Sequence, residues 1–216
     1  KVANGYYLDH SEIIQMEEGG RDVTQKDQFY QQIQLVVEPL KDWLIHAEGN
    51  MKIVNNQNQW EVLPVYYHDG EGSPVAMAWF DGYTPGMSRV NQSYWKDNNY
   101  SLNLYTDYFK QIGDHYFKVM GGFNAELSKR TNLSGQRDEL ITPDVPTLNT
   151  GTTEQKANGG YSHWANAGFF GRINYNYKER YLLEINGRYD GSSRFIGDKR
   201  WGFFPSFSCL LYTSDA

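Results

Sequence analysis

From Trp164 to Tyr189 the chain reads WANAGFFGRINYNYKERYLLEINGRY, and apolar and polar side chains alternate on both sides of a polar turn at Lys178, Glu179 and Arg180. Successive residues of a strand point to opposite faces, so Ala165, Ala167, Phe169, Ile173 and Tyr175 share one face, and Asn166, Arg172, Asn174 and Asn176 share the other. On the return, Tyr181, Leu183, Ile185 and Tyr189 alternate with Glu184, Asn186, Arg188 and Asp190. A symmetric register about the turn sets Ile173 opposite Ile185 and Asn174 opposite Glu184, with Arg172 diagonal to it. The segment is a hairpin, apolar on one face and a ladder of amides and charges on the other.

The same period recurs upstream. Lys1 to Gln28 is polar, carries Gly19 and Gly20, and reads as a loop. Phe29, Ile33, Leu35 and Val37 then alternate with Tyr30, Gln32 and Gln34 up to a short turn at Glu38 to Asp42. Trp43, Ile45, Ala47, Met51 and Ile53 return against His46, Glu48, Asn50 and Lys52. Asn55 to Ser93 is broken by Pro64, Gly70, Gly72, Pro74, Gly82, Pro85 and Gly86 and reads as a long connection. Tyr100, Leu102, Leu104 and Tyr108 form the next apolar set, followed by a turn centred on Gly113 and a return with Phe117, Val119, Phe123, Ala125 and Leu127. A second long polar connection, Ser128 to His163, leads into the Trp164 hairpin, and a last strand is expected from about Trp201.

Alternation of this kind suits a soluble sheet packed on a core, or a membrane barrel whose apolar face meets lipid and whose polar face lines a wet lumen. Three observations favour the barrel. Short turns and long connections alternate strictly, as in outer-membrane barrels with tight periplasmic turns and long extracellular loops. Trp43, Tyr108, Phe109, Tyr116, Phe117, Tyr175, Tyr177 and Tyr181 all lie near short turns, where an interfacial aromatic girdle belongs. Of 216 residues only 39% are apolar while 16% are aromatic, which suits half-exposed strands better than a thick core. The fold class expected is all-β: an antiparallel up-and-down meander, part of a transmembrane β-barrel with long extracellular loops. Six or seven such strands are too few, since even small barrels use about eight. Together with the missing signal peptide, this makes the chain a fragment or a processed form by expectation.

The remaining composition removes other classes. A net charge of −6 without a basic stripe leaves no electrostatic footprint for nucleic acid. No apolar run approaches the length of about 20 residues that a membrane helix needs, which says nothing of a barrel. The single cysteine, Cys209, excludes an internal disulfide framework and a multi-thiolate zinc cluster.

The words of the sequence are more specific than its pattern. Gly168 to Phe195, GFFGRINYNYKERYLLEINGRYDGSSRF, followed by KRWGFFPSFS at Lys199 to Ser208, resembles the SusC/RagA family of TonB-linked outer-membrane transporters. PLKDW at Pro39 to Trp43, HYFKVMGGFNAE at His115 to Glu126 and ELITPDVPTLNTG at Glu139 to Gly151 extend the resemblance over most of the chain from about Gln28 to Ser208. The resemblance implies a 22-stranded barrel with an internal plug, importing oligosaccharides or peptides across the outer membrane of Bacteroidetes. It also implies a SusD-like lipoprotein lid and energy from the TonB complex, which acts through regions absent from this chain. On this reading residues 1–208 are partial barrel, and residues 209–216, CLLYTSDA, depart from the family pattern and are expected to be a non-native tail. The alternatives are a soluble β-sandwich glycan-binding module and a TonB-dependent siderophore or cobalamin receptor; GRYDGSSRF and RWGFFPS speak against the latter.

Candidate contacts follow from position. Tyr66, Tyr67, Trp79, Phe80, Tyr83 and Trp95 fall in the long connections, where rings stack on sugar faces, on peptide side chains or on a lid, or simply pack loop against loop. Arg172, Glu184, Arg188 and Asp190 face the lumen, for solute contact or as a structural ladder. Glu184 and Asp190 do not make a glycosidase pair, because six residues along one strand at about 3.3 Å each separates them by roughly 20 Å. His46 with Glu48, or His68 with Asp69, supplies only two ligands to a metal. No G-x-S-x-G elbow, phosphate loop or Cys-His pair occurs. No catalytic residue, cofactor or metal is expected.

Overall fold

The computed structural model describes residues 12–69, 71–77 and 85–212. A short helix, α1 (Glu12–Glu18), precedes nine strands: β1 (Asp22–Leu40), β2 (Trp43–Val62), β3 (Tyr66–His68), β4 (Pro74–Ala76), β5 (Arg89–Ile112), β6 (His115–Asp138), β7 (Lys156–Tyr177), β8 (Tyr181–Ser192) and β9 (Trp201–Leu211). Seven strands form one sheet in the order β1-β2-β5-β6-β7-β8-β9, and β3 pairs with β4 in a separate ribbon. Every neighbour in the large sheet follows the previous one in sequence, apart from the excursion through β3 and β4. The meander read from the sequence is the fold.

The three tight turns have the backbone their residues permit. Asp42 (φ 68°), Gly113 (φ 58°), and Lys178 and Glu179 (φ 53° and 56°) take left-handed conformations, which reverse the chain in two or three residues. In the Trp164 hairpin the register is the symmetric one: Ile173 opposes Ile185, Asn174 opposes Glu184 and Tyr177 opposes Tyr181. On the far side of β8, Ile185 opposes Phe207 and Glu184 opposes Ser208, so the two faces continue into β9. β9 extends through Cys209, which opposes Leu183, to Leu211 opposite Tyr181.

Two expectations change. Lys1 to Gln28 is not wholly loop: α1 occupies Glu12–Glu18, and β1 begins at Asp22. The long connections are also shorter than expected, because β2 runs on to Val62, β5 starts at Arg89, β6 continues to Asp138 and β7 starts at Lys156. These extensions hid because their apolar residues are few and irregularly spaced, Trp60 and Val62 in β2 and Val90, Tyr94 and Trp95 in β5, so the period of two is lost among polar neighbours. Strands of 20 to 24 residues far exceed the length of about 9–11 residues needed to cross a bilayer.

The chain divides into two compact units. One, the wall unit, comprises Gln28–Val54, Asp97–Arg130 and Ser162–Ala216. Its apolar positions are not covered: Ile173, Ile185 and Phe207 are 47%, 46% and 81% exposed. Near its turns, Phe117 packs on Tyr175 at 4.9 Å between ring centroids and Tyr177 on Tyr181 at 6.1 Å, which gathers part of the expected girdle. Two turns are clipped together, with Lys178 N donating to Asp114 O at 3.0 Å.

The other, the loop unit, comprises Lys1–Asp27, Asn55–Lys96 and Thr131–Tyr161. It holds a small core in which Ile14, Val65 and Met77 are buried and Tyr67 packs against them. Its connection 139–155 is pinned by Glu139 N donating to Ser88 O at 2.9 Å, and by Arg137 Nε donating to Thr153 O at 3.0 Å. Gly151 sits so close to the Arg137 side chain that a Cβ has no room there.

Candidate functional site

The polar face of the wall is a hydrogen-bonded ladder running across the strands. Tyr30 on β1 donates to Asn50 Oδ1 on β2 at 3.1 Å, and Asn50 donates to Ser101 Oγ on β5 at 3.2 Å. Glu48 is the hub of the next rung, accepting from Gln34 at 3.2 Å, Tyr105 at 3.2 Å and Asn103 at 3.4 Å. Asn124 on β6 donates in turn to Asn103 Oδ1 at 2.5 Å. In the Trp164 hairpin, Glu184 accepts from Asn174 at 2.6 Å and Asn186 at 2.7 Å, and Arg172 donates to Asn186 Oδ1 at 2.7 Å. Polar side chains one strand apart satisfy one another here without reaching into a core.

Each sequence candidate has a place in this frame. Arg172 and Glu184 are rungs of the ladder, with Arg172 Nε 4.0 Å from Glu184 Oε1. Arg188 and Asp190 form a bidentate pair along β8, at 3.0 and 2.9 Å, and the guanidinium lies over the Phe170 ring at 5.6 Å. Tyr67 belongs to the loop-unit core, which is loop-on-loop packing, while Tyr66 is exposed beside it on β3. Trp95 is not in a connection: it lies within β5, with its indole nitrogen 3.2 Å from the Asn56 side-chain amide. Trp79, Phe80 and Tyr83 lie outside the described residues.

The His46–Glu48 metal candidate becomes something else. His46 stacks on Tyr105 at 4.3 Å between centroids, and its Nε2 is 3.4 Å from Asp107 Oδ2, whose other oxygen is 3.3 Å from Lys118 Nζ. Among the described residues no group of three or more potential metal ligands is gathered.

The loop unit contributes a cleft of about 1070 Å³ that sequence reasoning missed. One wall is the amide run of β2, Gln57, Asn58 and Gln59, facing Gln92 and Tyr94 of β5; the connection 143–148 closes another side. Gln92 donates to Gln59 Oε1 at 2.7 Å, and Gln59 donates onward to Pro146 O at 3.1 Å, which fixes that connection against the strands. The run Asn55 to Gln59 was the available signal: five carboxamides in succession are rare on a strand meant only to pair. At the top of β6, Asp138 accepts from Arg89 Nε at 2.6 Å and Nη2 at 2.9 Å. That guanidinium holds the Asp138 carboxyl below the ordinary aspartate range.

Against known proteins, the chain is 36% identical to the TonB-dependent receptor SusC of Bacteroides thetaiotaomicron over 113 residues, which is 51% of this chain. It is 28% identical to the TonB-dependent receptor P26 of Formosa agariphila over 183 residues, 82% of this chain. It spans 11% and 17% of the length of those two relatives. No protein-family model matches. Among solved structures, the RagAB peptide transporter superposes with a TM-score of 0.76 at 16% identity, over 89% of this chain and 20% of that one. The RagAB peptide importer in its open-open state gives 0.77. The open antiparallel meander has the fold of part of the β-barrel wall in these solved transporters. In sequence the chain is similar to receptors of the SusC type along a part of their length. The curated relatives are named as receptors and the solved neighbours as a transporter and an importer.

Proposed function

We propose that the chain is a wall segment, residues 1–208 at least, of a TonB-dependent nutrient importer in the outer membrane of a Gram-negative, Bacteroidetes-like cell. The solute is an oligosaccharide or a peptide. A SusD-like lipoprotein closes the extracellular side, and TonB acts through regions outside this chain. The observation that carries the reading is the uncovered apolar face of one seven-stranded sheet, with a hydrogen-bonded polar ladder on the other face. In water such a face would drive aggregation; against lipid tails it is the ground state. A soluble sandwich needs a second sheet to cover that face, and the only other sheet among the described residues is the two-stranded β3–β4 ribbon.

The full-length parent is expected to fractionate with outer membrane, to show heat-modifiable mobility in detergent, and to co-purify with a lipoprotein. Its uptake activity stops when TonB is deleted. Recovery of the parent as a soluble monomer would overturn the reading.

A further inference from the structure

We propose that the cleft of the loop unit is a solute-contact site that takes an extended, peptide-like chain carrying basic side chains, an inference that rests on the importer reading above. The cleft is built rather than incidental. Glu61 N donates to Arg21 O at 2.9 Å and Leu63 N to Gly19 O at 3.1 Å, which anchors the segment after α1 to β2. On the opposite side the Gln92–Gln59–Pro146 relay holds the connection in place. Rigid walls of this kind spare a ligand much of the cost of ordering its site.

The lining chooses the ligand. Glu17, Glu18, Glu61 and Asp144 line the cleft, and Arg21 is the one cation among the described lining residues. In a concave site that imbalance focuses a negative potential, which attracts ammonium and guanidinium groups and repels an anionic chain. Gln57 and Gln155 are exposed at the cleft and have no side-chain partner among the described residues. A carboxamide presents a donor and an acceptor side by side, which is the complement of a peptide bond. Between these polar groups, Met16 and Leu133 are 84% and 61% exposed and offer seats for apolar portions of side chains. A glycan fits less well. Tyr94 is the single aromatic ring among the described lining residues, and its hydroxyl is committed to Asn55 Oδ1 at 3.2 Å.

The test uses the full-length parent in detergent and three probes: a fluorescein-labelled hexapeptide of alternating alanine and lysine, its glutamate counterpart, and maltohexaose as competitor. The lysine peptide is expected to bind about tenfold more tightly than the glutamate peptide. The combined Glu17→Gln, Glu18→Gln, Glu61→Gln and Asp144→Asn variant abolishes that preference. Gln57→Ala with Gln155→Ala weakens both peptides by about tenfold. Equal binding of the two peptides, displacement by maltohexaose, no peptide binding, or binding unmoved by both variants would each overturn the site. Heat-modifiable mobility of the same preparations reports the barrel independently: a parent that forms its barrel and ignores the peptides sinks this site and leaves the importer standing.

Discussion

The two units of this chain put their apolar residues to opposite uses. In the wall unit, apolar side chains such as Leu35, Leu104, Ile173, Ile185 and Phe207 stand uncovered, and polar side chains of the other parity bond to one another in a ladder with Glu48 and Glu184 among its acceptors. In the loop unit a few apolar side chains, Ile14, Val65 and Met77, are withdrawn from solvent completely or nearly so, and polar groups line an open cleft. On the importer reading proposed above, the contrast teaches that the same strands serve two solvents. Where lipid is the neighbour, apolar exposure costs nothing and polar exposure must be matched. Where water is the neighbour, the ordinary rule of a soluble domain returns.

The sharpest way to break that contrast is to place one charge in each unit. Ile185→Arg, on the apolar face a few residues from the Tyr181 turn, is expected to destabilise the inserted barrel by about 2–4 kcal/mol, measured by denaturant unfolding in lipid vesicles. Ile141→Arg, at a position 75% exposed in the loop unit, is expected to stay within about 0.5 kcal/mol. Equal costs at the two positions would erase the distinction.

Next in size is the small core. Val65→Ala removes buried methyl groups, with an expected cost of roughly 2 kcal/mol confined to the loop unit. Hydrogen exchange should speed in α1 and in the β3–β4 ribbon while the wall strands keep their protection. Loss of protection throughout the wall would mean that the units do not behave separately.

Glu48→Gln is smaller. The amide keeps one oxygen to accept and brings two donors toward Gln34, Asn103 and Tyr105, so a loss of about 1 kcal/mol is expected, with β2 and β5 exchanging faster at that rung. An unchanged wall would demote Glu48 from hub to bystander.

The smallest effect is a pH dependence in the loop unit. Asp138 is held below the ordinary aspartate range by Arg89, so its contribution is complete above the unfolded-state value of about 4. It fades as pH falls further, through the lowered folded-state value. Protection factors around the connection 139–155 should therefore drop only below about pH 4. Asp138→Asn should lower them at neutral pH and flatten the dependence.

Much of the wall was legible because its signals are local. A period of two tells the faces apart, left-handed turns at Asp42, Gly113 and Lys178–Glu179 fix where the chain reverses, and the symmetric hairpin then has a single register. The polar ladder was partly legible for the same reason, since Arg172, Glu184, Arg188 and Asp190 had to share a face. What it did not reveal was that His46 and Glu48, adjacent in parity, meet on Tyr105, which stacks on His46 and donates to Glu48, because Tyr105 and Asp107 come from another hairpin.

By itself, then, the sequence determined the all-β class, the order of the meander, the three tight turns and the two faces of the sheet. Each of those follows from residues within one or two turns of each other. Only the tertiary structure decided how far the strands run past their alternating part, that Val65 and Met77 find Ile14, and that the amides of β2 close a cleft with the 143–148 connection. These depend on contacts between segments far apart in the chain, in stretches with few apolar residues, where period carries no information about which neighbour arrives.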